Sequence, residues 1–416
     1  MAPLDSSLLS EARILAAYLI FIGSYFVFAL GKFPGMKIDR AGAAIIGAVL
    51  MVAFRIMSAT QAMRAIDFAT VVLLFSMMLI VANLHLGGFF DWITEAVLER
   101  LKPHHLLPTI IFTSGLLSAF LVNDIVCLFM TPFVLRVTRR VGLPPVPYLL
   151  AVATASNIGS VATITGNPQN MLIGSVSRIR YLDFMAHLGP VAVAGLFIDW
   201  ALLHWLLLRR QADTLEPEAV ARAERVQHGP VRKKPVVVLA IVLVGFLAGV
   251  PAAMMAAIGA ALLLITRTVE PRKVYDEVDW GLLVLFLGLF IIVGGAELAG
   301  LTDNLLLPFT AWNLHNIWVF TGIAALISNL VSNVPAVMLL MSLIRGFPNP
   351  HLAWLALAMA STLAGNLTIT GSVANIIVIE RARPDVHIGF REYFRVGLPV
   401  TLATLAVGAV WLWLIG

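Results

Sequence analysis

The sequence predicts an all-α polytopic membrane protein built from two inverted five-crossing halves, and three observations predict it. The first is composition: 60% of the 416 residues are hydrophobic and 12% charged, with a mean hydropathy of +0.94, against roughly 45–50% apolar and 25% charged in soluble domains. The second is a duplicated polar signature. Thr163-Ile164-Thr165-Gly166 followed by Asn170 returns as Thr368-Ile369-Thr370-Gly371 followed by Asn375, with identical spacing inside apolar surroundings. The third is ordered register between the halves. At an offset of 212, Gly47-Ala48 meets Gly259-Ala260, Asp67 meets Asp279, Gly88 meets Gly300 and Asp91 meets Asp303. At 209, Leu121-Val122-Asn123-Asp124 meets Leu330-Val331-Ser332-Asn333. Chance in apolar sequence matches Leu and Val, not Asp, Gly and Asn in order.

Taken in order, membrane-length apolar runs lie at 12–31, 41–58, 68–86, 187–208, 235–250, 252–267, 280–299 and 392–415, each near the length needed to cross the hydrocarbon core. The run at 12–31 lacks a basic n-region and a small-residue cleavage site, so it reads as a retained helix. Four further stretches are interrupted. Residues 107–139 break at Asn123-Asp124 and 312–345 at Ser332-Asn333, predicting re-entrant hairpins, while 146–178 and 352–380 break at the two Thr-Ile-Thr-Gly segments, predicting interrupted helices. Residues 1–210 then form the first repeat, 211–234 a solvated linker and 235–416 the second repeat. Each half holds three helices, a hairpin that returns to its own side, an interrupted helix and a final helix. An odd number of crossings inverts the second copy. With the linker cytoplasmic, the inside loops hold 22 of the 28 Lys and Arg, so both termini are expected outside the cytoplasm.

Polar groups inside the bilayer must be satisfied or functional. Asp124, at the first hairpin break, carries a carboxylate that costs at least a few kcal/mol unless paired, hydrated or protonated, which suits a proton-coupling group. It could also cap the second hairpin helix. At the 209 offset its counterpart is neutral Asn333. The candidate substrate-binding set is Asn123, Thr163, Thr165, Gly166, Asn167, Asn170, Ser332, Asn333, Thr368, Thr370, Gly371 and Asn375. Broken helices there would turn half-helix N-termini toward a hydroxylated solute or anion and free carbonyls toward Na⁺. No Arg or Lys falls in this set. His85, Glu297, Asp199 and His204 are assigned to helix ends, snorkelling and interhelical hydrogen bonds.

Several function classes drop out. The net charge of +5 is spread over short loops and forms no basic stripe, so nucleic acid is not a partner. One cysteine, Cys127, allows neither a disulfide framework nor a thiolate metal cluster. No Walker motif, dinucleotide loop, His-Glu-x-x-His or nucleophile elbow is present, so no metal, cofactor or enzymatic centre is expected. A channel would not need a lone carboxylate on one of two paired hairpins.

Asn123-Asp124 with Thr131-Pro132, Ser332-Asn333-Val334-Pro335, and the run from Ser156-Asn157-Ile158-Gly159 to Asn170 resemble the hairpins and interrupted helix of the ion transporter superfamily. Its arsenite permease and NhaD-like Na⁺/H⁺ antiporter branch is the nearer likeness, with divalent anion/sodium symporters more distant. The resemblance runs almost end to end. It implies a secondary transporter of the prokaryotic inner membrane, with a scaffold and a mobile domain moving in an elevator-like step. Extrusion of arsenite or antimonite as neutral hydroxides, coupled to H⁺, is the first expectation. A Na⁺/H⁺ exchanger or a carboxylate or sulfate carrier is the alternative. Membrane lipid, a homodimer and a soluble ATPase subunit are partners this class admits.

Overall fold

A computed structural model describes residues 6–32, 37–100, 105–208, 231–265, 270–301 and 313–416. Among the described residues the regular structure is helical, apart from an isolated bridge between Lys32 and Asp39. The first half runs α1 (Ser6–Leu30), α2 (Arg40–Ala53), α3 (Ala59–Ala65), α4 (Phe68–Leu86), α5 (Phe89–Arg100), the hairpin α6 (Leu106–Phe120) and α7 (Asn123–Val141), the broken pair α8 (Val146–Ser160) and α9 (Pro168–Ser177), and α10 (Tyr181–Leu203), which continues as a π turn over His204–Leu208. The second half repeats this order as α11 (Lys233–Leu247), α12 (Ala252–Ile265), α13 (Pro271–Asp276), α14 (Trp280–Leu298), the hairpin α15 (Ile317–Val331) and α16 (Asn333–Leu340), the broken pair α17 (Pro350–Ala364) and α18 (Val373–Ala382), and α19 (Phe390–Ile415). Helices α2, α3 and α4 start 212 residues before α12, α13 and α14. Linker residues 211–230, Asp303 and the first residue of segment 312–345 lie outside the described residues. Lys233 and Lys234, placed in the linker from sequence, open α11.

The matched Asp pair has a local cause. Asp67 accepts a hydrogen bond from Thr70 N at 3.0 Å and Asp279 one from Leu282 N at 2.9 Å, each capping an otherwise orphaned helix start. Among the described residues, five helices are long and apolar enough to cross a membrane. The α6, α15 and α17 helices have 15 residues each, about 22 Å at 1.5 Å per residue, short of the roughly 30 Å core. They stop inside, at the polar breaks, which is why the bilayer interior holds irregular backbone at all.

Two bundles result. In one, α2 packs on α14 and α12 on α4; in the other, α6 packs on α8, α15 on α17, α18 on α7 and α10 on α19. Small residues permit these approaches. A Cβ on Gly159 would lie 2.0 Å from the Gly115 carbonyl oxygen, and one on Gly288 would lie 2.6 Å from that of Ala44.

The hairpin tips differ by one residue. Leu121 and Val122 separate α6 from α7, but Ser332 alone separates α15 from α16. A one-residue reversal forces Ser332 to φ 78°, ψ 156°, a region open essentially to glycine, at a cost of order 1–3 kcal/mol. Ser332→Gly is therefore expected to raise stability by about 1 kcal/mol after its unfolded-state entropy is counted. Thermal melting in detergent checks this, and an unchanged or lowered midpoint would mean the turn is not strained.

Candidate functional site

The duplicated signature builds two matched loops. Asn170 donates from its amide to Ser160 O and Thr163 O, both at 3.0 Å; Asn375, 205 residues on, donates to Gly365 O at 2.7 Å and Thr368 O at 3.0 Å. Each fully buried Asn thus satisfies two carbonyls freed where its helix unwinds. Asn167 Oδ1 caps α9 by accepting from Asn170 N at 2.8 Å, and its amide reaches Ser160 Oγ at 2.9 Å. The Thr163 hydroxyl donates to Ala119 O, and the Thr165 hydroxyl lies 2.8 Å from Tyr181 Oη. Gly166 O accepts from Asn123 N at 2.9 Å, while a Cβ on Gly371 would meet Asn329 Oδ1 at 2.8 Å. Thr368 is 3.5 Å from Asn329 Oδ1. These eight predicted residues hold the loops together and do not border the open space described next.

That space is a cavity of about 400 Å³ between the two bundles. Five predicted residues border it: Asn123, Asp124, Ser332, Asn333 and Thr370. Sequence reasoning missed Gln169, Ser372, Asp39, Arg40 and Asp279 as wall residues. Asp39 and Asp279 are also helix caps, and the repeat match of Asp279 with Asp67 was read as architecture. Arg40 corrects the expectation of a site without a cation; its Nε donates to Phe28 O at 3.1 Å. Three carboxylates thus face one guanidinium, which disfavours a free anion.

Behind the wall sits Asn157. Its Oδ1 accepts from Asn123 Nδ2 and Ser372 Oγ, both at 3.0 Å, and its Nδ2 donates to Asn366 Oδ1 at 2.8 Å and Asn375 Oδ1 at 2.9 Å. One buried amide therefore ties the first hairpin to the broken helix of the other half. The Asn333 amide, oriented to satisfy its neighbours, donates to Ser361 O at 3.1 Å and Gly371 O at 3.0 Å and accepts from Gln169 Nε2 at 3.2 Å. Because α7 starts at Asn123 and α16 at Asn333, these two asparagines are the structural pair. The counterpart of Asp124 is Val334, not the Asn333 that the 209 offset matched. The carboxylate still has no equal in the other half.

The cavity is one-sided. Its walls include residues 29–31 at the end of α1, 39–41 at the start of α2 and Asp279 and Gly281 at the start of α14, helix ends on the face where α11 begins, since Arg232 N donates to Gly87 O just past α4. On the opposite face the equivalent gap is closed: α4 packs on α9, and Ser175 Oγ donates to both Asp67 oxygens at 3.0 and 3.1 Å. Two inverted halves are thus held in unequal positions, the arrangement a carrier that alternates between sides requires.

A silicon efflux transporter of Oryza sativa subsp. japonica is 30% identical over 90% of this chain and 92% of its own length. A 46 kDa membrane protein of Mycobacterium leprae is 29% identical over 96% and 98%, and a putative arsB transporter of Dictyostelium discoideum 25% over 92% and 88%. The crystal structure of the YdaH transporter of Alcanivorax borkumensis shares the fold at a TM-score of 0.53 and 17% identity, covering 97% of both chains. The citrate transporter family model matches residues 25–364, so the chain belongs to that family of membrane transporters, within the ion transporter superfamily.

Proposed function

We propose that this secondary transporter exports small uncharged polyhydroxyl solutes in exchange for protons, with arsenous and antimonous acid as first substrates. The cavity chemistry carries the reading. Asn123, Gln169, Ser332, Asn333, Thr370 and Ser372 offer amides and hydroxyls beside a net-acidic set of side chains, and Asn123 Oδ1 is buried without a hydrogen bond from the protein. A solute hydroxyl would satisfy it. A single cysteine leaves hydrogen bonding, not thiolate capture, as the way to hold a metalloid. Silicic acid, another neutral hydroxide, suits the same wall, in keeping with the silicon efflux relative. Asp124 would exchange the proton. The hairpins, broken helices, α10 and α19 would move as one body past the α2–α14 and α4–α12 pairs, breaking the Asp67–Ser175 contact. With the linker cytoplasmic and both termini outside, the cavity faces the cytoplasm, where an exporter loads.

The acid-rich wall also suits a cation, so Na⁺ exchange is the competing reading. Inside-out vesicles carrying the chain under an imposed proton gradient test both, with arsenite, antimonite and silicic acid offered beside Na⁺ and citrate. Gradient-dependent uptake of the neutral hydroxides supports the proposal. Flux confined to Na⁺ or citrate overturns it and leaves the fold in place.

A further inference from the structure

The bundle that holds the hairpins buries a second carboxylate, away from the cavity. Asp199 on α10 has no exposed surface, and of the helix-end, snorkelling and interhelical hydrogen-bond roles expected for it the structure shows the last. Its Oδ2 accepts from the Thr154 hydroxyl at 2.9 Å, while its Oδ1 has no hydrogen-bond partner. Tyr393, in the first turn of α19, the helix packed along α10, is 1% exposed and has an unpartnered hydroxyl. Thr401, two turns further along α19, holds a third unpartnered buried oxygen.

No opposite charge balances the group. The buried ionisable group of α19 is Tyr393. The other helices against α10 are α6, α8, α11 and α17. Among the described residues, none of them brings a Lys, Arg or His within ion-pair distance of Asp199; α8 contributes the neutral Thr154. An uncompensated carboxylate in the membrane interior must take up a cation, and such residues mark proton relays. No group of three or more His, Cys, Asp and Glu side chains that could hold a metal ion occurs among the described residues.

We propose that Asp199, with Tyr393, is a second proton-binding site inside the mobile bundle, separate from Asp124. The proton binds Oδ1 and exchanges through the Tyr393 hydroxyl. The site also connects to the cavity. Asn366 Nδ2 donates to Thr154 O at 3.2 Å, and Asn366 Oδ1 accepts from Asn157, so the state of Asp199 bears on the amide that positions Asn123. The functional consequence rests on the proton-coupled reading above; the presence of the proton does not.

Infrared difference spectroscopy of the reconstituted full chain tests the proposal directly, through the carbonyl stretch of a protonated carboxyl. A band that disappears as pH rises, is missing in Asp199→Asn, persists in Asp124→Asn and shifts in Tyr393→Phe is the expected result. No Asp199 band at any pH would overturn the site. A band indifferent to pH would make Asp199 a fixed structural acid, and one removed by added Na⁺ would make it a metal-cation site; either overturns the proposal. In vesicles the proton-to-solute ratio should fall by half in Asp199→Asn. Loss of all proton dependence in the wild type, with the infrared band intact, would fault the transport reading and not the site.

Discussion

Replacing Asp124 with asparagine is expected to abolish proton-driven accumulation of solute while leaving the protein folded. Asp124 occupies the first turn of α7, borders the cavity and has no cation within ion-pair distance among the described residues, so its removal breaks no salt bridge. Asparagine keeps the size and the hydrogen-bonding oxygen. What is lost to stability is the carboxylate's attraction to the helix start, about 0.3–1 kcal/mol. What is lost to transport is the only carboxylate at either hairpin tip, since the matching position is Val334. The variant should still equilibrate solute down its own gradient, and accumulation against a gradient should fall to that passive level whatever proton gradient is imposed. Vesicle uptake at graded pH differences measures this beside thermal melting. Wild-type accumulation in the variant would remove Asp124 from the coupling mechanism.

The fold was legible because apolar sequence makes polar interruptions visible. Asn123-Asp124, Ser332-Asn333 and the two Thr-Ile-Thr-Gly segments each mark a place where a helix stops inside the bilayer, and the physical penalty on unsatisfied backbone leaves few other readings. The same logic could not separate polar groups the protein satisfies itself from those left for a ligand. Thr163, Thr165, Asn167, Asn170 and Asn375 were drawn into the candidate set by their conspicuous spacing, and their side chains close their own loops. Gln169 and Ser372 sit beside them in sequence but border the cavity. Side-chain direction around a turn decides that difference, and spacing does not carry it. Asn157 and Asn366 gave one usable signal, each being a lone amide in or just past a strongly apolar helix. Arg40 and Asp39 gave none, and the repeat match of Asp279 gave no sign of a site, because the wall they form exists only when helix ends of the two halves meet.

Asn157→Ala should be among the most damaging single polar substitutions in the hairpin bundle, since four buried hydrogen bonds end on one side chain. Truncation leaves Asn123 Nδ2 and Ser372 Oγ without their acceptor and removes a donor from Asn366 Oδ1 and Asn375 Oδ1. Each stranded group costs about 1–3 kcal/mol when buried, and groups in one network do not add fully, so a loss on the order of 3–5 kcal/mol is expected. The partners come from α7 in the first half and from the loop and start of α18 in the second, so the defect should loosen both sides of the cavity together. Asn157→Asp separates shape from hydrogen bonding. Its oxygens still receive Asn123 and Ser372, but one now faces the Asn366 and Asn375 carbonyl oxygens, which repel it. Both variants should melt well below the wild type in detergent, whereas Ser372→Ala, which removes a single bond to Asn157, should cost about 1 kcal/mol. If Asn157→Ala melted no lower than Ser372→Ala, the Asn157 network would not be what holds the two halves together, and it would have to be assigned to the solute instead of to the fold.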